Sequence, residues 1–373
     1  MNTPPIPMVA LGPDDAAERA EWITALTRTV DTNAYCLGAE VTAFEQQVRE
    51  YLDVPHVFAL SNGSDALRIG LQAIGVEADT EVVVPAYSFF ASASSIAHLG
   101  AKPVFVDVDP NTLLMDPNQL ERAITAKTSA VMPVHLYGQG AAMRRIMEVC
   151  AARRVPVLED AAQAFGTRYD GRALGSLGAA GTFSFYPTKN LAAPGDAGMV
   201  VTRDAAIAER LRLLRVHGDA GGYQHVSLGW NARMDGFQGA VLAVRLKRLP
   251  ALQAARAQNA ARYDAAIRDL GLAQQVRPLG RTPHSEHTWH QYIVRLSERE
   301  KVRAALAQQN IGCAVYYPGT LPAQPAFKSL GHRVGDFPVA EAAAREVLAL
   351  PIHHRLKPED PRRVIEAISA CLR

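Results

Sequence analysis

Between residues 57 and 202 short apolar runs rich in valine recur, and stretches of helical periodicity lie between several of them. The runs are 57–60, 82–84, 104–106, 130–134, 155–158, 182–186 and 199–202; the helical stretches are 65–74, 92–99, 117–124 and 141–153. A strand of nearly unbroken apolarity has both faces buried, the condition of strands in a mostly parallel sheet covered by helices. The pattern therefore predicts an α/β chain with a mostly parallel central sheet flanked by helices. In such sheets ligands bind beyond the carboxyl ends of the strands, so chemistry is sought at those ends.

The remainder reads differently. Residues 237–270 predict one long helix, with Leu242, Leu246, Leu249 and Leu252 on one side, a basic exposed face, and a kink expected at Pro250. A strand over 292–296, a helix over 298–309 and a short strand over 313–317 predict a smaller α+β domain. The chain is accordingly divided into a large domain, residues 1–245, and a small C-terminal domain, residues 246–373. With 373 residues, 48% of them apolar, the chain can bury a large core without staples.

A formal net charge of +2, evenly spread, is too small to imply nucleic acid as the main partner, and none is expected. Cys36, Cys150, Cys313 and Cys371 form no C-x-x-C pair and no zinc-site spacing, so no metal is expected and the thiols are read as free in a reducing cytoplasm. No apolar run approaches the ~18 residues of a membrane span. The N-terminal stretch, with prolines and acids where a signal peptide would be basic and apolar, gives no export signal.

Three segments carry candidate chemistry. Residues 61–67, Ser-Asn-Gly-Ser-Asp-Ala-Leu, follow a predicted strand and open a helix. A helix N-terminus presents free N–H groups and partial positive charge to a phosphate, although Ser and Asp there are also ordinary caps. Asp160, in Glu159-Asp160-Ala161-Ala162-Gln163, falls at a strand end, where a carboxylate either caps the next helix or keeps a pyridine nitrogen protonated. Lys189, in Phe183-Ser184-Phe185-Tyr186-Pro187-Thr188-Lys189-Asn190, falls just beyond another strand. A lone loop lysine is usually a solvated charge; a Schiff-base lysine needs a neutral amine. Together the three supply a phosphate cup, a ring partner and an amine, the requirements of pyridoxal phosphate.

With these motifs in order, the chain resembles the DegT/DnrJ/EryC1/StrS family of sugar aminotransferases. The resemblance rests also on residues 100–107 (Gly-Ala-Lys-Pro-Val-Phe-Val-Asp), 133–139 (Pro-Val-His-Leu-Tyr-Gly-Gln) and 229–235 (Gly-Trp-Asn-Ala-Arg-Met-Asp). It implies the aspartate aminotransferase (type I) fold and pyridoxal 5′-phosphate as cofactor. It implies that Lys189 holds the cofactor covalently and acts as acid and base, that Asp160 partners the pyridine nitrogen, and that Gln163 contacts the phenolic oxygen. Gly63, Ser64 and Ser184 become phosphate ligands, and Phe89 lies against the cofactor ring. Asn231 reaches the phosphate in the neighbouring subunit, which implies a homodimer with composite active sites.

The resemblance further implies transfer of an amino group from an amino acid, glutamate, to a nucleotide-linked keto sugar. Relatives acting at C3 often read Asn-Gly-x-Asp-Ala-Leu at the helix start, as here; those acting at C4 more often read Ser-Gly-Thr-x-Ala-Leu. A cyclitol ketone, a 4-keto sugar and a non-enzymatic regulator remain alternatives, while deoxygenating relatives typically carry His in place of Lys189. Phe165 and Pro322 stand where many relatives have His, and Pro194 stiffens a loop usually richer in glycine; these departures are expected near the sugar. His353 and His354 are read as loop surface, His287 and His290 as packing or turn residues.

Overall fold

Each of the seven apolar runs between 57 and 202 contributes a strand in the computed structural model, which describes residues 4–373. The chain opens with helices α1 (Ala16–Asp31) and α2 (Gly38–Leu52), then β1 (His56–Leu60), α3 (Gly63–Ala73), β2 (Glu81–Pro85), α4 (Phe90–Ala97) and β3 (Lys102–Val106). It continues through α5 (Leu120–Ala123), β4 (Thr128–Val131), α6 (Met143–Arg153), β5 (Leu158–Asp160) and a small hairpin of β6 (Arg168–Tyr169) and β7 (Arg172–Ala173). Strands β8 (Ala180–Ser184) and β9 (Gly198–Thr202) and helix α7 (Ala205–Leu214) complete this part.

Two ladders, β1-β9-β8-β5 and β3-β2-β4, meet through parallel bridges Val131–Val157 and Val134–Asp160. The order across the sheet is therefore β1-β9-β8-β5-β4-β2-β3. Strands β2, β3, β4, β5 and β8 run parallel, and only β9 opposes its neighbours β1 and β8. This is the α/β, mostly parallel architecture expected from the valine runs. All five residues of β9 are buried, and so are four of the five in β8. Two boundaries shift: the strand expected over 155–158 is Leu158–Asp160, and that expected over 130–134 ends its ladder at Val131.

Helix α8 (Gly236–Asp269) is 34 residues long and continues through Pro250. It is followed by β10 (Arg277–Pro278), β11 (Tyr292–Arg295), α9 (Arg299–Gln308), α10 (Pro338–Glu346), β12 (Val347–Leu350) and α11 (Asp360–Leu372). The first half of α8 packs Leu242, Leu246 and Leu249 into the core around the large sheet. The second half packs Ala260, Tyr263 and Ile267 into a second core with Tyr292, Val294, Val364 and Ile368. Residues 245 and 246 lie inside this one helix.

The strand expected over 313–317 does not form; only Ala314 pairs, with Ala349. The reason lies in where the next backbone groups go. The Tyr87 hydroxyl binds both the N–H and the carbonyl of Tyr317, and the Tyr137 hydroxyl donates to the carbonyl of Tyr316. Two tyrosines from segments just beyond β2 and β4 thus occupy the groups a ladder would need.

Candidate active site

Asp160 ends β5 at the carboxyl edge of the sheet and is buried. Ser92 Oγ donates to its Oδ2 at 2.8 Å, and the Ala162 N–H donates to Oδ1 at 3.2 Å. Burial pushes its carboxyl above the usual range, against the hydrogen bonds and the nearby Lys189 charge. An ionised carboxylate held here favours a cationic partner.

Its strand neighbour Glu159 anchors the edge from below. The Glu159 carboxylate accepts from the N–H groups of Gly175, Leu177 and Gly178 at 2.7–2.8 Å. It also lies 3.0 Å from His135 Nε2, and both side chains are fully buried. The Ala141 N–H donates to His135 Nδ1 at 3.1 Å, so the proton of the neutral ring sits on Nε2 and points at Glu159. Backbone bonds His135 N to Asp160 O (2.9 Å) and Asp160 N to Pro133 O (3.0 Å) transmit this anchorage to Asp160.

The phosphate cradle expected at residues 61–67 has a definite form. Asn62 caps α3, its Oδ1 accepting from Asp65 N at 2.8 Å. Among the described residues no acceptor meets the N–H groups of Gly63 or Ser64. Ser184, at the end of β8, closes in so tightly that a Cβ on Gly63 would lie 2.7 Å from the Ser184 Cβ. A Cβ on Gly198, opposite in β9, would lie 2.2 Å from Asn62 O. Glycine at both points lets α3 start directly against the sheet. The free N–H groups of Gly63 and Ser64 thus stand at a positive helix end with Ser184 packed against Gly63.

Lys189 stands in the loop after β8, with its N–H bonded to Tyr186 O at 2.8 Å. Burial lowers its amine from an ordinary 10.5 to about 8, the Asp160 charge opposing the shift. The structure thus brings Lys189 and Asp160 within electrostatic reach of each other. Gln163 is buried and oriented from both ends: its Oε1 accepts from Tyr137 N at 2.8 Å, and its Nε2 donates to the Tyr317 hydroxyl at 3.0 Å. One amide hydrogen remains for a ligand. Phe89 precedes α4 and is 53% exposed, its ring 6.0 Å from that of Tyr317, so it is not a core residue.

Asn231 is exposed and accepts from Arg233 Nε at 2.9 Å. Its loop is held by Trp230, whose indole N–H donates to Gln72 at 2.8 Å and whose ring carries the Arg68 guanidinium at 3.7 Å. Both partners sit on α3, so the cradle and the Asn231 loop share one support.

These residues fit pyridoxal phosphate. The cradle has unspent donors for a phosphate, Asp160 is a buried carboxylate with acceptor capacity left, and Lys189 is an amine near neutrality. No group of three or more His, Cys, Asp or Glu among the described residues could hold a metal ion, and no helix is long and apolar enough to cross a membrane.

Several neighbours escaped the sequence reading. Ser92 and Tyr317 contact Asp160 and Gln163 from 68 and 154 residues away; the only local hint was Ser88 and Ser92 four apart, whose hydroxyls bond at 2.9 Å. Phe165, expected near a sugar, is instead a core ring. It stacks on Tyr51 at 5.7 Å and meets Phe183 and Phe185 edge-on, so its replacement of a His alters packing. Pro322 is buried as well, in a segment pinned by Leu321 N to Ala86 O. His353 is buried rather than on the surface: the N-terminal segment covers it, Pro7 O accepting from its Nε2 at 3.0 Å, while His354 pairs with Asp14.

A model of the DegT/DnrJ/EryC1/StrS aminotransferase family matches residues 16–369. The chain is 42% identical over 368 residues to a pleiotropic regulatory protein of Geobacillus stearothermophilus, covering 98% of both chains. It is 38% identical, again over 98% of both, to the UDP-N-acetyl-3-dehydro-alpha-D-glucosamine 3-aminotransferase of Acidithiobacillus ferrooxidans. The crystal structure of S. venezuelae DesV in complex with a ketimine intermediate superposes with a TM-score of 0.95 at 36% identity, covering all of both chains.

Proposed function

This chain belongs to the DegT/DnrJ/EryC1/StrS aminotransferase family and is a pyridoxal-phosphate-dependent transaminase, and we propose that it moves an amino group from glutamate to the C3 ketone of a nucleotide-linked sugar. The observation that carries the reading is the gathering at the carboxyl edge of one sheet of buried Asp160, of Lys189, whose amine burial lowers to about 8, and of a helix start with unspent N–H donors at Gly63 and Ser64. The C3 position is supported by the Asn-Gly-Ser-Asp-Ala-Leu helix start at residues 62–67 and by the name of the Acidithiobacillus relative.

The residues divide the work. Gly63, Ser64 and Ser184 hold the phosphate, Asp160 keeps the ring nitrogen protonated, Gln163 donates to the phenolic oxygen, and Phe89 covers a ring face. Once bound, pyridoxal phosphate supplies the carbonyl that receives the amino group and an electron sink at the reacting carbon. Lys189, neutral for a useful fraction of the time near pH 7–8, removes the α-proton of the amino acid and returns a proton to C3 of the sugar. Asp160 stays charged through both halves because the cation it faces offsets its burial.

Asn231 completes the phosphate site of a neighbouring subunit, making a homodimer with composite sites. The exposed Tyr223, Val226 and Leu228, in the segment leading to Asn231, support a contact there. The cytoplasm, where free thiols persist, is the proposed location.

The test offers 3-keto and 4-keto forms of one nucleotide sugar with glutamate, with the product amine placed by NMR. Preference for the 4-keto form would move the assignment to C4; turnover of a cyclitol ketone alone would replace the sugar. The regulatory name of the Geobacillus relative supplies a second reading. A pure regulator has no need of a near-neutral buried lysine, and the purified protein should then lack the cofactor's visible absorbance.

A further inference from the structure

Ser88 and Ser92 stand four residues apart across the start of α4, and both are buried. A hydroxyl can both donate and accept, so a chain of hydroxyls has no direction of its own. Here Asp160 sets one. An ionised carboxylate only accepts, so the Ser92 hydrogen goes to Asp160 Oδ2, 2.8 Å away. Ser92 has no second hydrogen to give. The 2.9 Å contact between the two hydroxyls is therefore a bond from Ser88 to Ser92. A helical serine commonly turns its hydroxyl back to the carbonyl four residues earlier; Ser92 spends it on a carboxylate 68 residues away.

The reverse order leaves a hydrogen stranded. A protonated Oδ2 would donate to Ser92, Ser92 to Ser88, and the Ser88 hydrogen would then need an acceptor. Among the described residues only Ser92 meets the Ser88 hydroxyl, and Ser88 is 2% exposed. A buried donor left unmet is costly. A proton on Oδ1 would instead weaken the acceptor of the Ala162 N–H. The pair thus favours the charged carboxylate over the neutral one, and two of its about four acceptor positions stay open.

The other titratable groups around Asp160 are Lys189, His135 and Tyr317. Lys189 supports the charge only while its own amine is protonated, which burial limits to pH below about 8. His135 faces Glu159 and Tyr317 accepts from Gln163, and neither bonds to Asp160 among the described residues. The Ser92 hydroxyl and the Ala162 N–H act at any pH, and the hydroxyl bond is the shorter.

We propose that Ser88 and Ser92 form a one-way relay of hydrogen bonds that keeps the Asp160 carboxylate charged and aimed for the ring nitrogen of pyridoxal phosphate. Ser92 acts through Asp160 and is a positioning residue; Ser88 acts one step further back. The proposal rests on the assignment of Asp160 as ring partner and adds how that partner is held.

Equilibrium dialysis of the cofactor-free protein against two probes tests it: pyridoxal phosphate, and its analogue with carbon in place of the ring nitrogen. The analogue keeps the phosphate, the phenol and the carbonyl and offers Asp160 nothing to pair with. Wild type prefers pyridoxal phosphate. Ser92→Ala weakens pyridoxal phosphate by about tenfold or more, as expected for loss of a hydrogen bond to a charged group, and leaves the analogue unchanged. Ser88→Ala shows the same contrast, smaller, and Ser92→Thr, which keeps the hydroxyl, retains the wild-type preference. If Ser92→Ala fails to fold, the contrast between the two probes in Ser88→Ala decides alone. Equal weakening of both probes would mean that the serines only pack the site, and no weakening of either would mean that the pair is idle; each result overturns the proposal. Asp160→Asn is measured in parallel and should abolish the preference. If it does so while the serine variants behave as wild type, the relay alone falls. If Asp160→Asn keeps the preference, the ring-partner assignment falls and the relay with it.

Discussion

Replacing Lys189 by methionine should stabilise the cofactor-free protein near neutral pH, because a buried amine must otherwise be charged there. Burial lowers the amine from 10.5 to about 8. The folded state therefore binds fewer protons than the unfolded chain between these values, and stability rises with pH across that window. Below pH 8 the full penalty is present. A difference of about 2.5 pH units at ~1.36 kcal/mol each gives about 3 kcal/mol. Lys189 retains partial access to solvent, which reduces the penalty. Removing it also deprives Asp160 of a neighbouring cation. A net gain of about 1–2 kcal/mol at pH 7 remains. The assay is urea unfolding of both cofactor-free proteins at equal concentration, since the stability of the proposed dimer would depend on it, at steps from pH 7 to 10.5. The variant should lead at pH 7, and the gap should close as pH rises past 8. A variant no more stable than wild type, with a difference flat in pH, would refute the claim that Lys189 is held in a desolvated site.

Other substitutions probe the rest of the site. Gly63→Ala places a Cβ 2.7 Å from that of Ser184, so the cradle must open, and cofactor retention after dialysis should fall at least about tenfold. Glu159→Gln turns an amide hydrogen toward backbone donors that now meet a carboxylate and should cost about 2–4 kcal/mol in urea unfolding. Phe165→His leaves a ring nitrogen among Tyr51, Phe183 and Phe185; it should lower stability by about 2–4 kcal/mol and leave both substrate KM values unchanged, whereas a rise in sugar KM would return this position to the substrate site. Mixing Asn231→Ala with Lys189→Ala should restore about a quarter of wild-type activity, because half the dimers are hybrid and each hybrid carries one intact composite site; no recovery would count against a shared site.

The parts of the site that could be read in advance are those whose chemistry is tied to a local backbone event. Asp160 and Lys189 lie at or just past strand ends, Gly63 and Ser64 open a helix, and each strand of the large sheet showed as a short apolar run. The parts that could not be read depend on side chains brought together over long separations. Tyr87 and Tyr137 reach Tyr317 and Tyr316 across 230 and 179 residues and take the backbone bonds of what looks like a strand. The β propensity of Val315-Tyr316-Tyr317 was a fair local signal that tertiary hydrogen bonds overrode.

Helix α8 shows the same limit in another form. Its leucines at 242, 246, 249 and 252 define an apolar stripe, and arginines off that stripe are expected to face water. That inference holds for a helix covered on one side by one core. This helix leaves the first core after Leu249 and enters the second by Ala260, and the N-terminal segment lies over it: Gly12 O accepts from Arg245 Nη1 at 3.4 Å. The covered side therefore widens along the helix, and Arg245 and Arg256 end up 5% and 8% exposed. Periodicity reports which residues avoid water; it carries no signal for polar residues turned inward. A buried arginine such as Arg256, with no carboxylate partner among the described residues, is visible only once burial and hydrogen bonds are known together.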